Sequence, residues 1–132
     1  MSEKIIGHGV DLVDCARFHE AMQRHEEPFL NRLFTDEEKA YAMAQARPEL
    51  HLAARFAAKE ALSKAMGTGI GSVVGWKDVE VCREHSGAPF IRLHGAAWSS
   101  FEQRGGKAIF LSLSHTDQMA MASVILTGHE HS

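Results

Sequence analysis

Four charged residues between positions 55 and 64 have the types and the spacing to bind a phosphorylated ligand. Arg55, Lys59, Glu60 and Lys64 occupy a stretch in which three of the other six positions are alanine. At about 100° per residue, the four side chains fall on one half of a helix and the small residues fill the other half. Three cations and one carboxylate suit a metal-bound, polyanionic phosphate substrate. A plainer interpretation is also open, because Glu60 and Lys64 at i and i+4 make a common surface pair worth about 0.2–0.5 kcal/mol.

Phe56 interrupts the polar half of this helix. A solvated helix usually places a charged or amide side chain at such a position. We therefore expect Phe56 to line a site or an interface instead of facing water.

A glycine-rich loop follows the same helix, with glycine at positions 67, 69 and 71. Phosphate-cradling loops precede a helix, where the positive end of the helix dipole faces the anion. This loop follows a helix, so the polarity argues against a nucleotide-binding fold of that kind. Gly67 can serve simply as a helix terminator. The functional alternative is that residues without side chains let a ligand lie close to the backbone, beside Lys64 and a metal ion.

A second carboxylate that could share the site stands near the start of the chain. Asp11 lies near the end of a predicted strand at 5–13, after Gly7 and Gly9. Asp14 can cap the next helix, which leaves Asp11 free for another role. Magnesium prefers oxygen ligands, and two carboxylates from separate elements plus substrate oxygens would complete its shell. Asp11 and Glu60 are the best candidates for that pair.

The elements that must position these residues form an α+β pattern. Helices are predicted at 15–25, 28–33, 35–46 and 49–66. Strands are predicted at 79–83, 89–93, 107–114 and 119–126, with one helix at 95–104 between the two pairs. Thr35 and Glu38 form a capping box that starts one of these helices, and Glu38 could also serve a nearby site. No repeat or linker is present, so we expect a long helix packed on a small antiparallel sheet.

Composition excludes several classes of protein. With 132 residues and 45% hydrophobic content, the chain can bury one core, and we expect a single domain at 1–126 with a disordered tail at 127–132. A net charge of −3 argues against a nucleic-acid binder. The two cysteines, Cys15 and Cys82, have no paired spacing, and the longest apolar run is too short to span a bilayer. We expect free thiols and a cytoplasmic protein that does not bind membranes. The nine histidines are scattered and give little support to a metal-handling protein.

Five stretches of the chain together carry the pattern of one family. They are GlyHisGlyValAspLeuVal at 7–13, PheThrAspGluGlu at 34–38, ArgPheAlaAlaLysGluAlaLeuSerLysAlaMetGlyThrGlyIle at 55–70, TrpLysAspValGluVal at 76–81 and SerLeuSerHisThr at 112–116. In this order they closely resemble the holo-acyl-carrier-protein synthases, the small type of 4′-phosphopantetheinyl transferase. The resemblance implies magnesium-dependent transfer of phosphopantetheine from coenzyme A to a serine of apo-acyl carrier protein, which releases adenosine 3′,5′-bisphosphate. It also implies an α+β fold that forms a homotrimer with active sites between subunits.

The resemblance assigns roles by position. Asp11 and Glu60 match the magnesium ligands, and Glu60, directly or through a metal-held water, is the expected acceptor of the serine proton. Lys64 matches a lysine near the pyrophosphate. The residues that match positions in or around the coenzyme A site are Arg55, Lys59, Lys64, Gly67, Thr68, His115 and Thr116, the last two suited to the 3′-phosphate.

The first helix matches the family's carrier-docking face. Arg17 and Arg24 would meet the acidic carrier, and Phe18 and Met22 could make apolar contacts. The chain departs from the family pattern here, because three glutamates at 20, 26 and 27 dilute the basic patch. The carrier could belong to fatty-acid or to polyketide synthesis. A different class of function is a non-catalytic module that binds coenzyme A or the carrier, although the residues for catalysis are all present.

Overall fold

The computed structural model describes residues 2–71 and 74–129, so two residues of the glycine-rich loop, Ser72 and Val73, lie outside the described part. The elements are β1 (Lys4–Asp14), α1 (Cys15–Leu33), α2 (Asp36–Met43), α3 (Pro48–Met66), β2 (Val79–Arg83), β3 (Pro89–Leu93), α4 (Gly95–Gln103), β4 (Gly106–His115) and β5 (Met119–Gly128), with a short 3₁₀ turn at Trp76–Asp78. The α+β class and the order of elements predicted from the sequence are confirmed.

Local side-chain hydrogen bonds start two of the helices, α1 and α2. The Asp14 carboxylate accepts a hydrogen bond from the Arg17 backbone N–H at 3.0 Å and starts α1. Helix α1 spans both of the predicted helices at 15–25 and 28–33, with a kink at Glu26, whose φ is 52°. Thr35 and Glu38 form the expected reciprocal capping box of α2, which ends at residue 43 instead of 46. Gly67 adopts a left-handed conformation at the end of α3.

Two antiparallel sheets follow from the strand pairings. The larger sheet has the strand order β1-β5-β4, and β2 pairs with β3 in a separate hairpin. Strand β5 extends to Gly128, and the His129 backbone N–H donates to the Gly105 carbonyl at 2.9 Å. The boundary predicted for the tail is therefore too early, because Thr127 and Gly128 belong to the sheet. Residues 130–132 of that tail lie outside the described residues.

Strand β1 lies directly against helix α3, and two glycines make this approach possible. A Cβ atom on Gly7 would lie 2.2 Å from the Ala65 carbonyl oxygen, and one on Gly9 would lie 2.0 Å from the Ala61 carbonyl oxygen. Such contacts would force the strand off the helix. The glycines therefore bring Asp11, two residues further on, next to the polar side of α3.

Buried residues form two adjoining clusters instead of the single core expected from composition. One cluster lies between the C-terminal half of α3, the larger sheet, the hairpin and α4. The other joins α1, α2 and the N-terminal half of α3. Val13 and Leu113 pack against both clusters. The cleft described below lies where α1, β1 and α3 meet.

The outer face of the larger sheet is apolar and exposed. Val10, Leu12, Phe110 and Met121 alternate along their strands with positions that face α3, and each is at least 37% exposed. In the central part of the three strands, the positions that face outward carry no Asp, Glu, Lys or Arg; they are His8, Val10, Leu12, Phe110, Ser112, Ser114, Met121, Ser123 and Ile125, and Asp14 follows at the end of β1. An uncharged apolar face of this kind is typical of an interface. No described helix is both long and apolar enough to cross a membrane.

Candidate active site

The charged half of α3 is divided between the interior and a cleft. Arg55 is 2% exposed and Lys59 is fully buried, whereas Glu60 is half-buried and Lys64 is exposed. The expectation that these four residues share one open face is therefore wrong. Other elements cover the side of α3 that carries Arg55 and Lys59, and only Glu60 and Lys64 remain next to Asp11.

A cleft of about 410 Å³ opens between β1, α1 and α3. Asp11 and Glu60 both line it, so the structure brings together the two carboxylates predicted as metal ligands. The remaining lining residues are Leu12, Val13, Asp14, Arg17, Phe18, Ala21, Phe29 and Phe56. The cleft thus has four charged residues, Asp11, Asp14, Arg17 and Glu60, and an apolar wall formed by the other six.

Lys64 lies beside this carboxylate pair and bonds to the strand. Its ammonium Nζ donates to Asp11 Oδ1 at 2.9 Å and to the Val10 carbonyl oxygen at 3.1 Å. Among the described ion pairs, Lys64 pairs with Asp11 and not with Glu60. The ordinary surface pair between Glu60 and Lys64, the plainer alternative drawn from the sequence, is therefore absent. Lys64 instead connects α3 to β1 at the mouth of the cleft.

Glu60 occupies an environment that disfavours its charge. Burial, and then the nearby carboxylate of Asp11, raise the pKa of Glu60 above its ordinary value, and Lys64 opposes this shift. A carboxylate with a raised pKa is a better proton acceptor than an ordinary surface glutamate. The repulsion between the carboxylates of Asp11 and Glu60 also favours binding of a divalent cation between them.

The donor set fits a magnesium ion held jointly with a substrate. Asp11 and Glu60 supply carboxylate oxygens, which hard divalent cations prefer. Within the described residues, no group of three or more His, Cys, Asp or Glu side chains could hold a metal alone. Magnesium commonly binds through one or two carboxylates, with phosphate oxygens and water completing its coordination. The two carboxylates are the part of the shell that the chain itself would contribute.

The residues predicted to dock the carrier lie along the same cleft. Arg17 is exposed at the rim, and Phe18 lies on the wall, where its ring centroid is 5.5 Å from that of Phe56. Phe56 lines the cleft, which confirms the expectation that it does not face bulk water. Met22 is half-buried and packs against the cluster that joins α1, α2 and the N-terminal half of α3. Arg24 is exposed and pairs with Glu20 at 2.7 Å, so its charge is already partly balanced.

Phe29 is a lining residue that the sequence analysis did not single out. Its ring centroid lies 5.7 Å from that of Phe18. The helical periodicity of the first part of α1 does not predict this contact, because the kink at Glu26 lies between the two phenylalanines. The feature of the sequence that could have indicated Phe29 as a lining residue is its position as an aromatic residue directly after Pro28.

Lys59 has a structural role, and its predicted contact with coenzyme A is not supported. Its ammonium donates to Glu38 Oε1 at 2.8 Å and to the carbonyl oxygens of Trp76 and Val79 at 2.9 and 2.6 Å. An ammonium group has three N–H donors, and all three are used inside the protein. Glu38 also accepts the Val81 backbone N–H at 2.9 Å. The pair therefore ties α2 and α3 to the β2–β3 hairpin.

Arg55 lies on another side of α3 from Glu60. The two residues are five positions apart, which places them about 140° apart around the helix at about 100° per residue. The Arg55 guanidinium carbon lies 4.5 Å from the centroid of the Tyr41 ring. The Tyr41 ring contacts His51, which contacts His115, each pair with a centroid distance of 5.8 Å. The structure thus places Arg55 and His115 in one region, away from the cleft.

The other predicted coenzyme A residues are exposed at turns. The Thr116 hydroxyl accepts hydrogen bonds from the Gln118 and Met119 backbone N–H groups, each at 3.1 Å, and so shapes the β4–β5 turn. Gly67 has a φ of 74°, and a Cβ atom there would meet no atom within 4 Å among the described residues. Its helix-ending conformation is therefore a sufficient reason for glycine. Thr68 is exposed next to it.

The fold and the cleft define a class of transferase. Residues 7–124 match the model of the 4′-phosphopantetheinyl transferase superfamily, and the chain belongs to that family. It is therefore an enzyme, a phosphopantetheinyl transferase, as the motifs at 7–13 and 55–70 predicted.

Within this class, the chain is similar to the holo-[acyl-carrier-protein] synthases. The protein of that name from Koribacter versatilis is 45% identical over 122 residues, which cover 92% of this chain and 98% of that one. The crystal structure of the synthase from Neisseria meningitidis has a TM-score of 0.87 at 31% identity, covering 93% of this chain and 98% of that chain. The synthase from Bacillus anthracis, solved in complex with coenzyme A (3′,5′-ADP), has a TM-score of 0.79 at 32% identity, covering 95% and 98%.

Proposed function

We propose that the cleft between β1, α1 and α3 is the active site of this transferase. There the 4′-phosphopantetheine group passes from coenzyme A to a serine of apo-acyl carrier protein, and adenosine 3′,5′-bisphosphate leaves. The observation that carries the proposal is the meeting of Asp11, Glu60 and Lys64 at one end of an apolar cleft. Phosphoryl transfer requires charge stabilisation and positioning, and these residues supply both.

Asp11, Glu60 and Lys64 have complementary tasks in this proposal. Asp11 and Glu60 hold magnesium, which when bound neutralises charge on the pyrophosphate of coenzyme A. Glu60 accepts the proton of the carrier serine, directly or through a water molecule, and its raised pKa suits that task. Lys64 exchanges its pairing with Asp11 for the pyrophosphate and stabilises the negative charge on the departing phosphate.

The carrier approaches over the first helix in this proposal. Arg17 provides the exposed positive charge for an acidic helix, while Phe18 and Met22 provide apolar contacts beside it. Arg24 contributes less, because Glu20 already pairs with it. The shared cleft would then place the carrier serine and Glu60 in one continuous space.

We further propose that the protein is a homotrimer in which neighbouring copies complete each site. Support comes from the positions of Arg55 on α3 and His115 at the end of β4, because neither residue lines the cleft of its own chain. The uncharged apolar face of the larger sheet fits a second copy of this chain better than an acidic carrier. A ligand with a metal-bound pyrophosphate and a separate phosphate would then span one copy's cleft and its neighbour's cationic residues.

Replacing an exposed apolar residue of that face tests the assembly. Phe110→Glu should give a monomer by light scattering and weaken coenzyme A binding, because a buried unpaired charge opposes association. Trp98→Glu is the matched control, since Trp98 is also exposed, at 47% against 57% for Phe110, but lies on α4. A trimer that tolerates Phe110→Glu would exclude this face as the interface.

Mass spectrometry tests the proposed reaction. Wild-type protein incubated with apo-carrier, coenzyme A and magnesium should add one phosphopantetheine group to the carrier. Asp11→Asn should require more magnesium for the same rate, because one metal ligand loses its charge. Binding of coenzyme A without any change in carrier mass would favour the non-catalytic module. We also expect a cytoplasmic location, in keeping with the free thiols of Cys15 and Cys82.

A further inference from the structure

Trp76 lies next to the wall of the carboxylate cleft, in the 3₁₀ turn at Trp76–Asp78 that precedes β2. It is not one of the described residues that line the cleft. Its ring stacks on the ring of Phe56, with 5.0 Å between the centroids and an angle of 19° between the planes. Phe56 does line the cleft, so Trp76 can influence the site through this side chain.

Two aromatic rings from different elements contact Phe56. Trp76 stacks on it, and the ring centroid of Phe18 from α1 lies 5.5 Å from its own. Stacked and tilted pairs favour particular ring orientations, in addition to the effect of burying apolar area. A phenylalanine on the surface of a helix otherwise exchanges between rotamers. The two contacts therefore restrict the Phe56 ring, although its side chain is only half-buried.

A second set of contacts fixes the Trp76 backbone to the same helix. Lys59 Nζ donates to the Trp76 carbonyl oxygen at 2.9 Å and to the Val79 carbonyl oxygen at 2.6 Å, at the start of the turn and directly after it. Lys59 is fully buried and pairs with Glu38, so moving its ammonium would leave a buried charge without its partners. Since Lys59 is three positions after Phe56, one segment of α3 holds the Phe56 ring and the backbone of the residue that stacks on it.

Phe56 and Glu60 are about one helical turn apart on α3. Side chains at i and i+4 are neighbours on the helix surface, with Cβ atoms about 5–6 Å apart. Both residues line the cleft. An apolar group that enters the cleft beside Glu60 therefore meets the Phe56 ring.

The residues to which we assign contacts with the carrier, Arg17 and Phe18, line the same cleft. Because Phe18 contacts Phe56 directly, a partner that covers one ring also meets the other. We infer that Trp76 is a positioning residue that holds the Phe56 ring as an apolar contact for the carrier beside its reacting serine. The inference rests on the proposed docking of the carrier over α1. Trp76 acts through Phe56 and does not itself touch the carrier.

Steady-state kinetics of Trp76→Leu separates positioning from general stability. KM for the apo-carrier should rise about fivefold, the effect of losing one aromatic pair that fixes a contact residue. KM for coenzyme A should change by less than about twofold, because its charged groups meet other residues of the cleft. Trp76→Phe keeps a ring at this position and should restore most of the affinity for the carrier. A variant that merely unfolds would lower kcat through a smaller active fraction and leave both KM values unchanged, and that result would overturn the inference.

A double-mutant cycle with Phe56→Leu tests whether Trp76 acts through Phe56. Phe56→Leu should raise KM for the carrier at least as much as Trp76→Leu does. The double variant should show no more than the effect of Phe56→Leu alone, because without the ring there is nothing for Trp76 to position. Effects that multiply in the double variant would mean that the two residues act independently, and would overturn the inference.

Tryptophan fluorescence provides a readout that does not depend on turnover. The chain has two tryptophans, Trp76 and Trp98, and Trp98 lies on α4. In Trp98→Phe the indole emission therefore comes from Trp76. Apo-carrier added without coenzyme A should change this emission, because it covers the ring on which Trp76 stacks. Unchanged emission from a protein that binds the carrier would overturn the inference.

Arg17→Glu judges the proposed docking surface separately. Unchanged carrier affinity in Arg17→Glu would remove the docking surface and the inference that rests on it. Weaker carrier binding in Arg17→Glu, together with unchanged carrier affinity in Trp76→Leu, would keep the docking surface and remove the inference alone.

Discussion

Two charged regions of this protein lie on different sides of helix α3, and they concentrate charge of opposite sign. In the cleft, Glu60 and Asp11 bring two carboxylates together. The neighbouring Lys64 pairs with Asp11 and is exposed to solvent. The second region is a cavity of about 250 Å³ between α2, α3 and the β2–β3 hairpin, which we call the arginine cavity. There Arg55 and Arg83 bring two guanidinium groups together, and Tyr41 lies against both. Each region keeps a surplus of like charge, which a ligand of opposite charge would relieve.

The difference between the regions lies in what can move. The carboxylate cleft has an exposed lysine that can change partners and a glutamate with a raised pKa, both of which suit a reaction. The arginine cavity is held by a buried guanidinium and an aromatic ring, which suit recognition of a group that does not react. Variants of Glu60 and Lys64 should therefore change the rate of transfer, and variants in the arginine cavity should change the affinity for the ligand.

Glu60→Gln should give the largest effect. It removes a metal ligand's charge and the proposed proton acceptor without changing side-chain size, so the transfer rate should fall on the order of 1,000-fold. The rate is measured by carrier modification at saturating coenzyme A. Near-normal turnover in this variant would show that Glu60 is neither ligand nor base.

The stability of the same variant provides its control. Since the pKa of Glu60 in the folded protein is raised above 4.5, its charged form lowers stability at neutral pH. Well below pH 4.5 the carboxyl is protonated in both the folded and the unfolded state, and this cost is absent. Glu60→Gln should therefore raise the Tm at pH 7 relative to wild type, with a smaller difference at pH 4. A lower Tm at pH 7 would attribute lost activity to unfolding.

Lys64→Ala should follow in size. If the ammonium acts on charge that develops during transfer, kcat should fall about 100-fold, as when one charge-stabilising donor is removed. KM for coenzyme A should change much less. Steady-state kinetics with wild type in parallel measures both constants. A higher KM with preserved kcat would assign Lys64 to substrate binding, the role that we expect for the residues of the arginine cavity.

Arg17→Glu should have a moderate effect that is confined to the carrier. Reversing an exposed charge removes one attraction and adds one repulsion, so carrier affinity should fall about tenfold. Coenzyme A affinity should stay unchanged, and added salt should weaken wild-type carrier binding. Arg24→Glu is the matched control, with a smaller expected loss because Glu20 already pairs with Arg24. Equal losses in both variants would mean that the cleft rim has no special role in docking.

The smallest effect concerns His51, next to the arginine cavity. Burial, and then the charges of Arg55, His115 and Arg83, lower the pKa of His51, which favours the neutral ring in the free protein. An anion bound nearby should raise the pKa of His51, and binding should take up a fraction of a proton. Calorimetry of adenosine 3′,5′-bisphosphate in buffers of different ionisation enthalpy measures this uptake.

His51→Asn provides the reference for that measurement. The phosphate monoester has a pKa near 6 and can itself exchange protons on binding. The difference between wild type and variant isolates the contribution of His51. An identical proton balance in both proteins would place the bound anion far from His51 and weaken the case for the cavity.

Much of the fold could be predicted from local patterns. Thr35 and Glu38 marked the start of α2, and the two hairpins followed from alternating apolar residues bounded by turn residues. The helix 15–25 and the stretch 28–33 were predicted as separate elements and join as one kinked helix. These features depend on interactions within a few residues, which a sequence displays directly.

The meeting of Asp11 and Glu60 was also predictable, although for another reason. The motif at 7–13 and the helix at 55–70 identified the family, and the family model spans residues 7–124. The physical cause appears only in three dimensions, where Gly7 and Gly9 let β1 lie on the carbonyl groups of α3. A pattern can thus identify a site before the packing that builds it is known.

The sequence by itself determined the α+β class, the helix caps, the carboxylate pair and the family of this protein. The tertiary structure alone decided that Lys59 is buried on Glu38, 21 positions away, and that Lys64 bonds to Asp11, 53 positions away. It also decided that Tyr41 lies between α3 and the hairpin, against Arg55 and Arg83. Periodicity assigns a residue to a side of a helix, but the element that covers that side comes from distant sequence. Burial and charge pairing therefore follow from packing, which the local pattern does not contain.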